Sequence, residues 1–165
     1  MSQMIGKYLG SKALRQIKYL RKCKDYKIAT TNGCFDLLHA GHVYLLRNCL
    51  KKPEIPEKTA LIVLINDDAS VKAIKGPGRP VYGEDHRLYM VRSIKGVTAA
   101  FLFSGTTPEE ALKSIRPDFH FKGVEWEGRD VPEKDYVGTM FYEPHLIDVS
   151  TTTTIEKIQY DVPSV

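Results

Sequence analysis

Two spacings of apolar residues alternate along this chain. Consecutive apolar residues, as in ALIVLI at 60–65, predict a strand that is covered on both faces of a sheet. Apolar residues three and four apart predict a helix with one buried side. The stretch Ser11–Lys24 has the helical spacing, with its apolar stripe at Ala13, Leu14, Ile17 and Leu20. Together the two patterns indicate an α/β protein.

From residue 27 onward, strands and helices are predicted to alternate. Strands are predicted at 27–31, 60–65, 97–103, 119–123 and 145–149. Helices are predicted at 41–50, 68–72, 84–95, 108–115 and 153–159. Asp67 is expected to cap the second of these helices, and Thr107 followed by Pro108 predicts an N-cap and first helical position. The segment 124–144 has no regular pattern and is expected to be irregular.

This alternation favours a single-domain, Rossmann-like α/β fold, with a doubly wound parallel sheet of five strands. In such folds ligands bind beyond the carboxyl ends of the strands, near the point where the strand order reverses. Composition agrees with one globular domain, since the 165 residues are 42% hydrophobic and 27% charged. Without a run of about 18 apolar residues or a secretory signal, the expected compartment is the cytoplasm and no membrane partner is predicted.

Charge and cysteine content narrow the possible partners. The net charge is +4, but residues 1–27 hold eight lysines and arginines against Asp25 alone. We interpret residues 1–26 as a basic amphipathic helix with a solvated face; nucleic-acid binding is not expected, because few aromatic residues accompany the charges. Cys23, Cys34 and Cys49 have no CxxC spacing and are expected to be free thiols.

The most informative motif is NGCFDLLHAGH, residues 32–42, between the first predicted strand and the next helix. Asn32 and Gly33 permit a sharp exit from the strand, and Gly41 leaves room for close approach of a ligand. Backbone N–H groups at a helix start attract anions, and His39 and His42 would donate hydrogen bonds to phosphate oxygens there. The motif therefore predicts a phosphate-handling site.

Other interpretations of this motif remain open at the sequence level. An HxxH pair can bind zinc, although no third or fourth ligand follows at a suitable spacing. Cys34 could be a nucleophile, but no base is placed beside it, so we expect it to contribute its backbone. Asp36 is expected to brace the loop, and two buried structural histidines are a further alternative.

Three more polar motifs follow predicted strands. Lys72, Lys75 and Arg79 gather positive charge around a glycine- and proline-rich loop, which suits phosphates but also an ordinary solvated loop. Arg87 could bind phosphate or pair with Glu84.

The last two motifs follow the fourth and fifth predicted strands. In FKGVEWEG, Lys122 would reach a phosphate, Gly123 would admit a ligand to the backbone, and Trp126 would either cover a base or sugar or simply pack. Near the end of the chain, Ser150, Thr151 and Thr152 are N-cap residues of a helix whose start points at the same site.

These motifs resemble the HxGH signature and following blocks of the cytidylyltransferase-like nucleotidyltransferase superfamily. The similarity is closest to the adenylyltransferase domain of the bacterial bifunctional heptose kinase/adenylyltransferase. It covers residues 27–159 in five ordered blocks: NGCFDLLHAGH, INDDASVKAIKGPGRPV, the helix starting EDHR, RPDFHFKG and STTTTIEKI. Residues 27–160 are accordingly predicted to be a nucleotidyltransferase domain.

The resemblance implies transfer of AMP from ATP to a sugar 1-phosphate, with D-glycero-D-manno-heptose 1-phosphate as acceptor and ADP-heptose and pyrophosphate as products. It implies Mg²⁺ bound through the phosphates rather than by side chains, and a homodimer. The implied catalytic residues are His39, His42 and Lys122. The implied nucleotide-binding residues are Asn32, Gly33, Cys34, Phe35, His39, Gly41, His42, Lys122, Gly123, Ser150, Thr151 and Thr152. The implied substrate-binding residues are Asp36, Lys72, Lys75, Arg79 and Arg87.

One departure bears on the base. Relatives that use CTP carry an arginine-threonine pair before the final motif, whereas this chain has His145 and Leu146. ATP is therefore favoured, with cytidylyl transfer to glycerol 3-phosphate or a similar polyol phosphate as the alternative. An alternative of another class is a non-catalytic nucleotide-binding module. A fragment of a class I aminoacyl-tRNA synthetase would need a KMSKS-type loop, which the sequence lacks.

Overall fold

The structure is a computed structural model that describes residues 6–144 and 150–161. Its helices are α1 Ser11–Lys24, α2 Ala40–Asn48, α3 Asp68–Lys75, α4 Glu84–Arg92, α5 Glu109–Ile115 and α6 Thr151–Asp161. Its strands are β1 Lys27–Gly33, β2 Thr59–Asn66, β3 Val97–Phe103, β4 Phe119–Gly123 and β5 Thr139–Glu143. Short 3-10 turns lie at Cys49–Lys51, Val124–Trp126 and Pro132–Tyr136.

The strands form one parallel sheet in the order β3-β2-β1-β4-β5. Chain progression reverses between β1 and β4, so a crevice opens where the loops after these two strands diverge. Every residue of β2 is buried, as its continuous apolar run predicts. The predicted doubly wound α/β fold with five parallel strands is confirmed.

Each face of the sheet is covered by helices and has its own apolar cluster. On one face, α1 and α5 pack on the strands through residues such as Ile17, Leu112 and Phe101. On the other face, α2 and α4 contribute Leu46 and Val91. Of the predicted stripe of α1, Ala13, Ile17 and Leu20 are buried, and Leu14 is partly buried against the same cluster.

The expectation that the whole segment 124–144 is irregular was wrong. Strand β5 lies in the segment that was expected to be irregular, while the predicted strand at 145–149 lies outside the described residues. Strand β5 is only partly buried and shows no apolar run. It is held by pairing with β4 and by the Phe121 and Phe141 rings, which stack with centroids 5.2 Å apart. Such contacts leave no periodic signal.

Several helix ends also differ from expectation. Asp67 caps α3 as predicted, accepting the Ser70 N–H at 2.8 Å, but the helix continues to Lys75. The N-cap of α5 is Pro108 rather than Thr107, since the Pro108 carbonyl accepts the first intrahelical bond from Leu112. The last helix begins at Thr151, two residues earlier than predicted.

The segment before α1 covers the edge of β3. The Leu9 N–H donates to the Leu102 carbonyl at 3.0 Å, and the Leu102 N–H donates to the Lys7 carbonyl at 2.9 Å. Lys7 also pairs with Glu84 at the start of α4 at 2.7 Å, and the Tyr8 hydroxyl donates to the same carboxylate at 3.1 Å. Within the described ranges, no helix is both long and apolar enough to cross a membrane.

Candidate functional site

A cavity of about 500 Å³ lies at the carboxyl ends of the strands, between the loops that follow β1 and β4. Most residues predicted for the site meet in its wall. They are Asn32, Gly33, Cys34, Phe35, Asp36, His39, Gly41, His42, Lys75, Arg79, Gly123, Ser150, Thr151 and Thr152. The wall thus joins parts of the chain that are more than 100 residues apart in sequence.

The loop between β1 and α2 is bent by unusual backbone angles. Phe35 and Leu37 have φ of 51° and 47°, in the left-handed region that side chains disfavour. Such strain persists only where surrounding contacts hold it. Here the Arg87 guanidinium donates to the Cys34 carbonyl, and it also donates to the Tyr82 carbonyl at 2.9 Å. Hydrogen bonds from the buried Arg87 side chain therefore hold the loop in this conformation.

Asp36 braces this loop against the proline-containing loop that follows α3. Its carboxylate, 1% exposed, accepts the Arg79 Nε–H at 2.7 Å and the backbone N–H groups of Val81 and Tyr82 at 3.0 Å. Burial would raise the pKa of Asp36, but these amides and Arg79 together lower it below its ordinary value. The carboxylate is consequently ionised and fully used in bracing, as expected for a structural role.

His39 and His42 stand at the start of α2 with their rings stacked, 3.7 Å between centroids and 29° between planes. The His42 Nδ1 accepts the His39 backbone N–H at 3.4 Å, so neutral His42 carries its proton on Nε2. Burial, and next the neighbouring His39, lower the pKa of His42 to about 4. Burial also lowers the pKa of His39. At neutral pH the pair is therefore uncharged and supplies hydrogen-bond donors.

The start of α6 is tied to the same loop. The Thr151 hydroxyl donates to the Asp36 carbonyl, and the Ser150 hydroxyl accepts the Thr153 N–H at 3.1 Å as an N-cap. Ser150, Thr151 and Thr152 therefore face the cavity that His39 and His42 line. The positive end of the α6 dipole lies there as well, which favours an anion between the two helix starts.

Three predicted residues lie outside the described wall of the cavity, for different reasons. Lys72 is exposed on α3. Arg87 is 1% exposed and pairs with Asp68 at 2.8 Å, not with Glu84. Lys122 is also buried and forms an ion pair with Glu133, and the predicted contact of Lys122 with a phosphate stays a prediction. Of the predicted cations, Lys75 and Arg79 line the cavity, and only Arg79 is committed to a carboxylate on its wall.

The alternatives for Cys34 and for metal binding can be examined from the geometry. Burial raises the pKa of the Cys34 thiol, which opposes a nucleophilic thiolate at neutral pH. Among residues 6–144 and 150–161, no group of three or more His, Cys, Asp or Glu side chains is arranged to hold a metal. Within these two ranges, the stacked histidines have no further ligands of the kind that a zinc site needs.

Sequence reasoning missed other residues of the wall. These are Tyr44, Leu45, Asn48, Asn66, Ile74, Thr106, Glu125, Glu143 and Pro144. Asn66 ends β2, so its position at a strand's carboxyl end was an available signal. Asn48 lies two turns into α2, and its amide donates to the Tyr44 carbonyl at 2.7 Å. No motif marks such a residue, because it lies on a helix, away from the strand ends that carry the other polar motifs.

Comparisons with known proteins agree on one family. A family model described as cytidylyltransferase-like matches residues 30–157. The bifunctional protein HldE of Aliarcobacter butzleri (strain RM4018) is 38% identical over 133 residues, covering 81% of this chain and 27% of that protein. The HldE protein of Sulfurimonas denitrificans is 40% identical over 141 residues, covering 82% of this chain and 28% of that protein. The chain thus spans less than a third of the length of these curated relatives.

A solved structure shares the fold. The crystal structure of the lipopolysaccharide core biosynthesis protein from Thermoplasma volcanium GSS1 superposes with a TM-score of 0.50 and 24% sequence identity. It covers 61% of this chain, which in turn covers 77% of that protein's chain.

Proposed function

From the premise that this chain belongs to the cytidylyltransferase-like family and is a nucleotidyltransferase, we propose that it transfers AMP from ATP to a sugar 1-phosphate. The acceptor proposed is D-glycero-D-manno-heptose 1-phosphate, and the products are ADP-heptose and pyrophosphate. The observation that carries the proposal is that two stacked imidazoles and the start of α6 line one cavity at the rim of a parallel sheet.

The reaction needs no nucleophile from the protein. A phosphate oxygen of the sugar phosphate attacks the α-phosphorus of ATP, a new P–O bond forms, and the bond to the β-phosphate oxygen breaks. The electron pair leaves with pyrophosphate. Because the attacking oxygen is already anionic, catalysis consists of positioning the reactants and stabilising the charge on the pentavalent phosphorus.

His39 and His42 are proposed to stabilise that charge. A neutral imidazole with its proton on Nε2 donates a hydrogen bond without the cost of burying a cation. Both rings sit at the start of α2, whose dipole adds a partial positive charge at the same place. Donors fixed before the reaction do not need to reorganise as the charge develops.

The outer phosphates are proposed to lie between Lys75 and the start of α6. The Ser150, Thr151 and Thr152 hydroxyls and the helix N–H groups would bind the leaving pyrophosphate. Bound with ATP, Mg²⁺ supplies charge neutralisation through phosphate oxygens and water, which needs no carboxylate cage. The amides of Asn66 and Asn48 offer hydrogen bonds to the hydroxyls of a sugar.

A pyrophosphate-release screen tests the proposal. ATP, CTP, GTP and UTP are each combined with heptose 1-phosphate, other sugar phosphates and glycerol 3-phosphate, with Mg²⁺ present. The expected result is the highest kcat/KM for ATP with the heptose phosphate. A preference for CTP with glycerol 3-phosphate would instead establish the cytidylyl alternative. Nucleotide binding without release from any pair would show a non-catalytic module. The predicted homodimer is tested separately by light scattering after size exclusion.

A further inference from the structure

Trp126 is the only tryptophan of the chain, and it lines the cavity. It ends the 3-10 turn that directly follows β4, so its position is set by the strand end that carries Gly123. The residue is 39% exposed, although a large apolar ring is normally buried. A half-exposed indole at the mouth of a ligand cavity presents a flat apolar surface to whatever enters.

The Trp126 ring is also in contact with a buried cation. The Lys122 Nζ lies 4.3 Å from the centroid of the Trp126 ring. The Lys122 and Glu133 side chains form an ion pair and are 7% and 2% exposed. Because Lys122 is buried and Trp126 is half exposed, the ring shields the ammonium from the cavity. Exposed Arg129 adds a second cation, with its guanidinium carbon 5.6 Å from the ring centroid.

A buried lysine–glutamate pair is a poor way to gain stability, because desolvating both charges offsets their attraction. The pair does fix the positions of the two side chains, because moving either one away would leave the other charge buried and unpaired. The ammonium is also desolvated, and a cation–π contact is strongest in that condition. The pair therefore acts on the position of the indole more than on the stability of the fold.

We propose that Trp126 stacks on the base of the nucleotide, and that Lys122 and Glu133 are positioning residues that hold its ring for this purpose. The proposal rests on the proposed function, because it needs a nucleotide in the cavity. It assigns Lys122 a different role from phosphate binding. To reach a phosphate, Lys122 would have to abandon Glu133 and move past the ring that covers it.

The wild-type protein provides the first test, because all tryptophan emission comes from Trp126. The protein is titrated with MgATP and, separately, with inorganic tripolyphosphate and Mg²⁺, while calorimetry measures binding of each. Base stacking predicts that ATP quenches the emission and that bound tripolyphosphate leaves it within a few per cent of the starting value. If tripolyphosphate changes the emission as much as ATP does, Lys122 has left the ring for the phosphates and the proposal is overturned.

Substitutions at Trp126 give the second test. Stacking of a base on an aromatic side chain predicts that Trp126→Ala weakens ATP binding about ten- to hundredfold. Trp126→Phe should retain most of the affinity, since it keeps a flat ring. Tripolyphosphate binding should stay within about twofold in both variants. Equal weakening of ATP and tripolyphosphate by Trp126→Ala would mean that the ring only supports the fold of the site.

The positioning role is tested with the charges removed together. Lys122→Met alone would leave Glu133 buried and unpaired, so it is combined with Glu133→Gln. The double variant should bind ATP at least about fivefold more weakly, with unchanged tripolyphosphate binding and a shifted emission maximum in the free protein. The matched control is Lys113→Met, which removes a lysine 6.0 Å from the Tyr136 ring, outside the described cavity wall. Wild-type ATP affinity in the double variant would refute the positioning role.

These experiments separate the inference from the proposed function. If calorimetry detects ATP binding and the Trp126 emission does not change, the stacking role is refuted while nucleotide binding is retained. If neither ATP nor any other triphosphate binds, the proposed function fails first.

Discussion

At the residue scale, the stacked histidines decide what the cavity can do. With centroids 3.7 Å apart, His39 and His42 oppose each other's protonation, and His42 is held neutral by burial. A neutral pair attracts no anion by charge, so its value lies in directed donors at the start of α2. Under the proposed function, affinity for the outer phosphates is expected to come from Lys75 and from the backbone at the start of α6.

His42→Ala is expected to lower turnover at least about a hundredfold while the fold stays intact. Removing one fixed donor to a developing anion costs about 3–4 kcal/mol, which corresponds to about 10²–10³ in rate. The measurement is single-turnover pyrophosphate release, with circular dichroism to verify the fold. His86→Ala is the matched control, because His86 is exposed and stacks on Tyr82 outside the described cavity wall. Turnover within tenfold of wild type after loss of His42 would rule out the proposed role.

What the sequence could predict at this scale follows from how local each interaction is. The histidine pair was predictable because spacing, glycine and helix start all lie within a dozen residues. The partners of Arg87 and Lys122 were not, because Cys34 and Glu133 lie 53 and 11 positions away and belong to irregular segments. A sequence shows that a cationic side chain is present, but not which carboxylate or carbonyl it will pair with.

At the element scale, the segment before α1 protects the open edge of β3. An exposed parallel strand edge offers unpaired N–H and C=O groups to other chains. Here the Leu9 and Lys7 backbone occupies that edge at Leu102, and the pairing of Lys7 with Glu84 fastens the segment to α4. The segment that covers the β3 edge is short, so each of its backbone hydrogen bonds contributes to holding it there.

Leu9→Pro is therefore expected to lower stability more than Leu9→Ala does. Both variants lose the leucine side chain, but only proline lacks the N–H that donates to Leu102. The difference should be about 1 kcal/mol, or about 2–4 °C in Tm for a chain of this size. Calorimetric melting, with light scattering to follow aggregation, measures both effects. Equal Tm values for the two variants would show that the edge pairing contributes nothing to stability.

Elements were predictable in proportion to their own burial. Strands β2 and β3 carry apolar runs that mark them within the chain. Strand β5 is half exposed and takes its place from its neighbour in the sheet, so periodicity could not locate it. Helix α5 shows the same limit at its end, where Pro108 accepts the first helical bond instead of occupying the first turn.

At the scale of the whole molecule, the parallel sheet buries a titratable histidine on β4, beside its central strand β1. His120 of β4 is fully buried, and its Nδ1 lies 2.7 Å from the Thr30 hydroxyl of β1. Burial, and next the charge of Lys122, lower the pKa of His120 to about 3. Together with His42 on the cavity wall, the fold therefore encloses two histidines in the neutral form.

This arrangement predicts that stability falls as the pH is lowered. In the unfolded chain both histidines bind protons below about pH 6.5, whereas in the folded chain they resist protonation until about pH 4 and pH 3. The stabilising contribution is complete above about pH 6.5 and is lost on acidification. Each histidine should cost about 1.4 kcal/mol per pH unit below that point.

Urea unfolding at pH 7.5 and pH 5 measures the effect. His120→Gln should reduce the slope of the free energy of unfolding against pH by the equivalent of about one bound proton. His86→Gln, at an exposed position, should leave that slope unchanged. A wild-type free energy of unfolding that is equal at the two pH values would contradict the prediction. The interval from pH 5 to pH 7.5 lies above the ordinary pKa range of carboxyl groups. Acids such as Asp36, whose pKa is lowered further, therefore do not contribute to the pH dependence there.

The way the amino-terminal segment is fastened has a consequence for handling the protein. The Tyr8 hydroxyl donates to the Glu84 carboxylate, which also accepts the backbone N–H of Asp68. The Asp68 carboxylate pairs with Arg87, and Arg87 donates to the Cys34 carbonyl. A substitution at Tyr8 or Glu84 would therefore act through these contacts on the loop that carries His39 and His42. Protein for kinetic work is best made with the segment Lys7–Leu9 unaltered.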